Sequence, residues 1–195
     1  MKILSVKKGF ECDHSSVTYQ FVSEEMISSE IKALLKDRGV EFKTRKNTVS
    51  IHIPGEGCIP SEVQNRLLTS YNIPLLIYEE YDWWNFILMF DYDERLFQKL
   101  KRYETEDGDY TIHISKADGK IEVWATVELD YAQTLEGGND LFKTLRELYL
   151  KVRDMILKDE FEPMDILFAY CSDEDLSKIS PSTEVGKTLK SYLAR

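Results

Sequence analysis

Residues 9–16, Gly-Phe-Glu-Cys-Asp-His-Ser-Ser, set a thiol, a carboxylate, an imidazole and two hydroxyls side by side directly after the strand-like segment 1–6. In an extended loop Cys12 and His14 point to the same side. The pair can offer two ligands to zinc, or His14 can activate a Ser or Cys nucleophile with Asp13 nearby. Both readings need a third group from elsewhere, because neighbours in an extended segment face apart and a working triad is assembled from separated positions. The plainer reading has Asp13 and the serines capping turns while Cys12 packs inward. Cys12, Asp13 and His14 are thus the catalytic candidates.

The remaining chemistry is sparse. His52 and His113 fall on the polar sides of their strands, and two histidines with a carboxylate can bind a metal, but ordinary sheet-surface histidines are the commoner outcome. Asp91, Asp93 and Glu94 could hold Mg²⁺ or Ca²⁺ at a strand end. No glycine-rich phosphate loop accompanies them, and Asp93 serves equally well as a helix N-cap. Neither a metal site nor a cofactor is expected. In the aromatic stretch 81–90, strand geometry puts Trp84, Phe86, Leu88 and Phe90 on one face and Trp83, Asn85, Ile87 and Met89 on the other. Both faces are largely apolar, so both must be covered. Internal packing is favoured over a docking surface, because a chain of this size must bury its large aromatics.

Residues 13–21, Asp-His-Ser-Ser-Val-Thr-Tyr-Gln-Phe, followed downstream by Tyr81-Asp82-Trp83-Trp84, resemble a pattern found in a group of uncharacterised prokaryotic proteins. The likeness covers two short motifs within residues 13–90. That group has no assigned activity, so the resemblance implies only that the opening loop and the tryptophan strand belong to one structural unit.

These side chains are carried by 195 residues, 43% hydrophobic and 31% charged, enough for one large domain or two small ones. The net charge of −10 repels phosphate backbones, which argues against nucleic acid as a partner. Cys12, Cys58 and Cys171 form no CxxC pair, so neither a disulfide framework nor a zinc knuckle is indicated, and a reducing, cytoplasmic compartment fits best. The apolar run Phe86–Phe90 is far too short to cross a bilayer, and no membrane association is expected.

Periodicity gives an element order. Val17, Tyr19 and Phe21 alternate as a strand. Ser23 caps a helix with Glu24 and Glu25 in its first turn and Ile27, Ile31, Leu34 and Leu35 as its stripe, and Gly39 stops it. A hairpin turns at Lys46-Asn47, Ser61 and Gln64 open a helix with capping-box spacing, and strands follow at 73–78 and 82–90. This is the split-βαβ order of ferredoxin-like domains with one strand added. Strands 110–115 and 120–129 turn at Asp118-Gly119, with Ala117 facing Lys120, Ile114 facing Val123, Ile112 facing Ala125, His113 facing Trp124 and Thr111 facing Thr126. Gly137-Gly138-Asn139 opens the longest helix, Pro163–Tyr170 reads as a strand, and Ser182 caps a last helix.

The expected fold is α+β, an antiparallel sheet with packed helices. Residues 1–103 make a ferredoxin-like half and 110–195 a smaller α+β half, joined by the acidic segment 104–109, unless both form one continuous domain. The expected function is that of a soluble, non-enzymatic binding or accessory protein. It would act through an aromatic sheet surface, Trp83, Trp84, His113 and Trp124, on a protein partner or a second copy. The alternative is a hydrolase or metal-dependent enzyme using Cys12, Asp13 and His14.

Overall fold

Alternation of apolar and polar residues makes Val17–Val22 a strand (β1) whose Val17, Tyr19 and Phe21 are buried while Thr18 and Gln20 are only partly so. The computed structural model describes residues 17–54, 57–71, 73–80, 83–105, 108–129 and 141–193. The strand expected at residues 1–6, the Cys12-Asp13-His14 loop and the glycines before the longest helix lie outside them.

After β1 come α1 (Ser29–Asp37), β2 (Lys43–Arg45), β3 (Thr48–Ile53), α2 (Ser61–Ser70), β4 (Leu75–Glu80) and β5 (Trp83–Asp91). The chain continues through α3 (Glu94–Leu100) and a 3₁₀ turn (Lys101–Tyr103) to β6 (Thr111–Ala117) and β7 (Lys120–Glu128). Three helices close it: α4 (Leu141–Leu157), α5 (Glu162–Cys171) and, after a second 3₁₀ turn (Leu176–Lys178), α6 (Glu184–Tyr192). The seven strands form one antiparallel sheet in the order β2-β3-β1-β4-β5-β7-β6. β1 and β2 flank β3, and β3 and β4 flank β1, which is the interlocked split-βαβ connection read from the sequence. Residues 104–109 join two parts of this one sheet, since β5 and β7 pair along their whole length.

The β6–β7 hairpin has the register its turn dictates. Asp118 (φ 51°) and Gly119 (φ 75°) both take left-handed backbone angles, and every expected pairing from Ala117↔Lys120 to Thr111↔Thr126 is present.

Four local expectations are corrected. Ser182 does not cap α6: Thr183 does, its hydroxyl accepting from Gly186 N at 3.0 Å. Ser23 does not cap α1: its hydroxyl accepts from Glu25 N, and Ser23 N and Ile27 N bond to Asn47 O and Lys46 O, which ties residues 23–27 to the β2–β3 turn. Ser28 is the cap, accepting from Ile31 N at 3.3 Å. Pro60 occupies the N-cap of α2, so Ser61 lies inside the first turn and makes no capping box. The segment read as a strand at Pro163–Tyr170 is α5. Its Pro sits in the first turn, where its missing N–H costs nothing, and Met164, Ile166, Leu167, Ala169 and Tyr170 are all buried. A helix enclosed on most sides loses the periodicity that distinguishes it from a buried strand.

Two cores lie on opposite faces of the sheet. On the first face α1 and α2 pack on Tyr19, Phe21, Val49, Ile51, Leu76, Tyr78, Ile87 and Met89. On the second face α4, α5 and α6 pack on Leu75, Ile77, Phe86, Leu88, Ile112, Val123 and Val127, with Leu100 of α3 joining them. β5 is central and covered on both sides, as its two apolar faces require.

Candidate functional site

The two helical layers are offset along the sheet. α1 and α2 cover the β3-β1-β4 end of the first face, whereas α3 to α6 cover the β5-β7-β6 end of the second. Among the described residues the first face therefore keeps a section of sheet outside its helix layer. That section is β7 and β6, and the register aligns His113 with Trp124 and Ile87 and places Thr111 beside Thr126. On the second face α4 reaches as far as β3, where Arg146 donates to Thr48 Oγ1 at 3.0 Å, and Thr18 lies between His52 and Glu79.

Trp124 stands at the border of the α1–α2 layer. Its ring meets the edge of Tyr78, with centroids 5.8 Å apart at 87°. Its Nε1 donates to Asn85 Oδ1 at 3.1 Å, and Thr126 Oγ1 donates to the same oxygen at 2.8 Å. Asn85 is buried, so these two donors satisfy an acceptor that would otherwise be stranded between the layers. Beyond Trp124 the surface is open and polar: the His113 side chain is 66% exposed, and Ser115 Oγ bonds Glu122 Oε2 at 3.1 Å.

The outer edge of β6 is closed by residues 101–105. Thr105 N donates to Ile112 O at 3.0 Å, Ile112 N to Thr105 Oγ1 at 2.8 Å, and Lys101 Nζ to Ile114 O at 3.1 Å. Glu104 accepts from Ile114 N at 3.4 Å and pairs with Lys101 and with His113 Nδ1. The Lys101 hydrogen bond holds the Glu104 carboxyl below its ordinary range against the opposing effect of burial. With the ladder groups of Ile112 and Ile114 occupied, this part of β6 offers the face and not the edge.

The structure sorts the sequence-derived candidates. Trp84 is 5% exposed, turned onto the second face against Phe142 and Phe86, and takes no part in a surface. Trp83 is half-buried against Tyr110. His113 and Trp124 face each other across the hairpin. His52 accompanies Thr18 at 3.1 Å on the opposite face of the sheet from His113, so the two imidazoles do not meet. Asp91 pairs with Lys120 at 2.6 Å, Asp93 caps α3, and Glu94 accepts from Tyr92 and Gln98. Among the described residues no group of three His, Cys, Asp or Glu is placed to hold a metal ion, and no helix is long and apolar enough to cross a membrane.

No family model matches this chain, and no curated protein matches it. The site is therefore read from its own residues.

Sequence reasoning missed two features. One is Asn85, whose pairing with Trp124 joins strands distant in sequence. The other is a cavity of about 150 Å³ lined by Lys99, Arg102, Tyr103, Asp159 and Phe161. Its cationic side was legible, since Arg95, Lys99 and Arg102 recur at the spacing of one helix face. Its anionic partner Asp159 comes from the α4–α5 corner and was not.

Proposed function

We propose that this is a non-enzymatic binding or accessory protein that acts through the first face of β7 and β6, which no helix among the described residues covers. Its contact centre is Trp124 and His113, with Thr111 and Thr126 around them. The carrying observation is the offset of the helix layers, which leaves an aromatic and polar sheet surface beside the wall of the α1–α2 layer. The occupant is a protein surface, and a second copy of the chain fits it best. A raised helix layer next to a bare recess is a step, and two such steps related by a two-fold axis fill one another. The closed β6 edge supports face packing over strand pairing. Glu122 and Glu128 on this face, with a net charge of −10, argue against nucleic acid.

The β1–β4 connectivity and strand order support describing residues 17–80 as ferredoxin-like. Exposed Cys58, a free thiol, suits a cytoplasmic location. No observation favours the hydrolase or metal-dependent reading, whose residues Cys12, Asp13 and His14 lie outside those described.

Sedimentation of the purified chain tests the proposal. A dimer that Trp124→Glu converts to a folded monomer supports it. A wild-type monomer at all accessible concentrations, or a dimer indifferent to Trp124→Glu and His113→Glu, overturns it.

A further inference from the structure

We propose that the cavity between α3 and the α4–α5 corner is a binding site for a small aromatic carboxylate. It is separate from the β7–β6 face and does not depend on that reading.

The volume is about 150 Å³, room for one aromatic ring, and the hollow is open to solvent with both charged and aromatic side chains in its lining. Two aromatic side chains form its walls. Tyr103 and Phe161 lie within 14° of parallel, with centroids 6.1 Å apart. The Tyr103 hydroxyl is already spent on Asp165 Oδ1 at 2.7 Å, so that residue offers its ring and not its polar end.

Charge sets the other half of the specificity. Both carboxylates near the cavity are satisfied: Asp165 by Tyr103, and Asp159 by Lys99 and, at 3.6 Å, Arg95. Asp159 holds a left-handed backbone angle, φ 69°, at the corner after α4, which aims its carboxylate at α3. Lys99 Nζ also lies 5.8 Å from the Phe161 ring centroid, so the cation and the ring share one wall. Arg102 lines the same cavity and has no hydrogen-bond or ion-pair partner among the described residues. Its planar fork matches a carboxylate bidentately. A monoanion suits the site better than a phosphate, whose second charge would face the adjacent Asp159.

Titrating benzoate, and separately inorganic phosphate, into the ¹⁵N-labelled full chain tests this by amide chemical shifts. Benzoate is expected to give saturable shifts around Tyr103 and Phe161, and phosphate weaker ones. Arg102→Gln, a change at an exposed side chain whose spectrum reports retention of the fold, is expected to weaken benzoate about tenfold, the scale of one charge-assisted hydrogen bond. Arg45→Gln on distant β2 is expected to change nothing. The inference is overturned by non-saturable benzoate shifts, by equal affinity in Arg102→Gln, or by phosphate binding as tightly as benzoate.

Discussion

Phe86 and Tyr149 lie face to face with ring centroids 3.6 Å apart and planes 7° from parallel, and the buried Tyr149 hydroxyl has no hydrogen-bond partner among the described residues. Burial, with Cys171 and Tyr170 nearby, holds that hydroxyl well above the ordinary tyrosine range. The ring packs and the oxygen only loses water. Tyr149→Phe keeps the stack and removes the unpaired group, so stability is expected to rise by about 1 kcal/mol, or about 2–4 °C in Tm for a chain of this size. Denaturant and thermal unfolding check it, and a clear loss of stability would mean that the oxygen is bonded.

Glu162 ties the start of α5 to the start of α6. Its carboxylate accepts from the backbone N–H and hydroxyl of both Ser182 and Thr183. Burial works to raise its pKa, but these four donors outweigh it and bring the value down to about 2. A depressed folded-state pKa means that the stabilisation is fully present above about pH 4.5 and is lost as pH falls towards about 2. Glu162→Gln is expected to cost about 1–2 kcal/mol at neutral pH, solvent screening keeping it below the value of a fully buried charged bond. The same substitution should flatten the acid limb of the stability curve. Gly186 is the matching position, because a Cβ there would collide with Glu162 Oε2 and come within 3.0 Å of Pro181 Cβ. Gly186→Ala should therefore destabilise, although helix propensity alone favours Ala by about 1 kcal/mol. Equilibrium unfolding between pH 2 and 7 measures both variants.

What the sequence made legible was local. Asp118-Gly119 accepts the backbone angles of its turn, and once that turn is set every pairing of β6 with β7 follows. The alternation in β1 and the two apolar faces of β5 likewise reported burial directly. The misreadings arose where several residues could do the same job or where surroundings removed the signal. Ser23 and Ser28 are both competent caps, and only the bonds from residues 23 and 27 to the β2–β3 turn choose between them. Pro163 to Tyr170 lost its helical period because Met164, Ile166, Leu167, Ala169 and Tyr170 are all enclosed. The offset of the helix layers, which exposes His113 and leaves Trp124 at a border, is a relation between elements far apart in the chain. No window of residues encodes it.

Asn85 is the polar pin of the proposed face. Replacing it with Leu keeps the volume nearly constant but leaves Trp124 Nε1 and Thr126 Oγ1 without their shared acceptor. Both donors are only half-buried and can turn to water, so the expected cost is about 1–2 kcal/mol, below that of a fully stranded pair. The Trp124 indole N–H resonance should shift towards the position of a solvated indole, while those of Trp83 and Trp84 stay in place. An unchanged Trp124 resonance would show that Tyr78 and not Asn85 fixes the ring.

The strap over β6 decides whether the sheet can grow. Thr105 gives and receives at Ile112, and Glu104 and Lys101 occupy the N–H and C=O of Ile114, so removing these side chains returns unpaired ladder groups to the edge of a strand with alternating apolar residues. Thr105→Val keeps the shape and removes the oxygen bonded to Ile112 N, and Glu104→Ala removes the acceptor for Ile114 N. The double substitution is expected to cost about 1–3 kcal/mol and to produce concentration-dependent association in sedimentation and light scattering beyond any wild-type dimer. Association that Trp124→Glu does not suppress would mark it as edge pairing, distinct from contact through the face. A double variant that stays at the wild-type particle size would mean that the strap does not guard this edge, and that the twist or charge of β6 is sufficient alone.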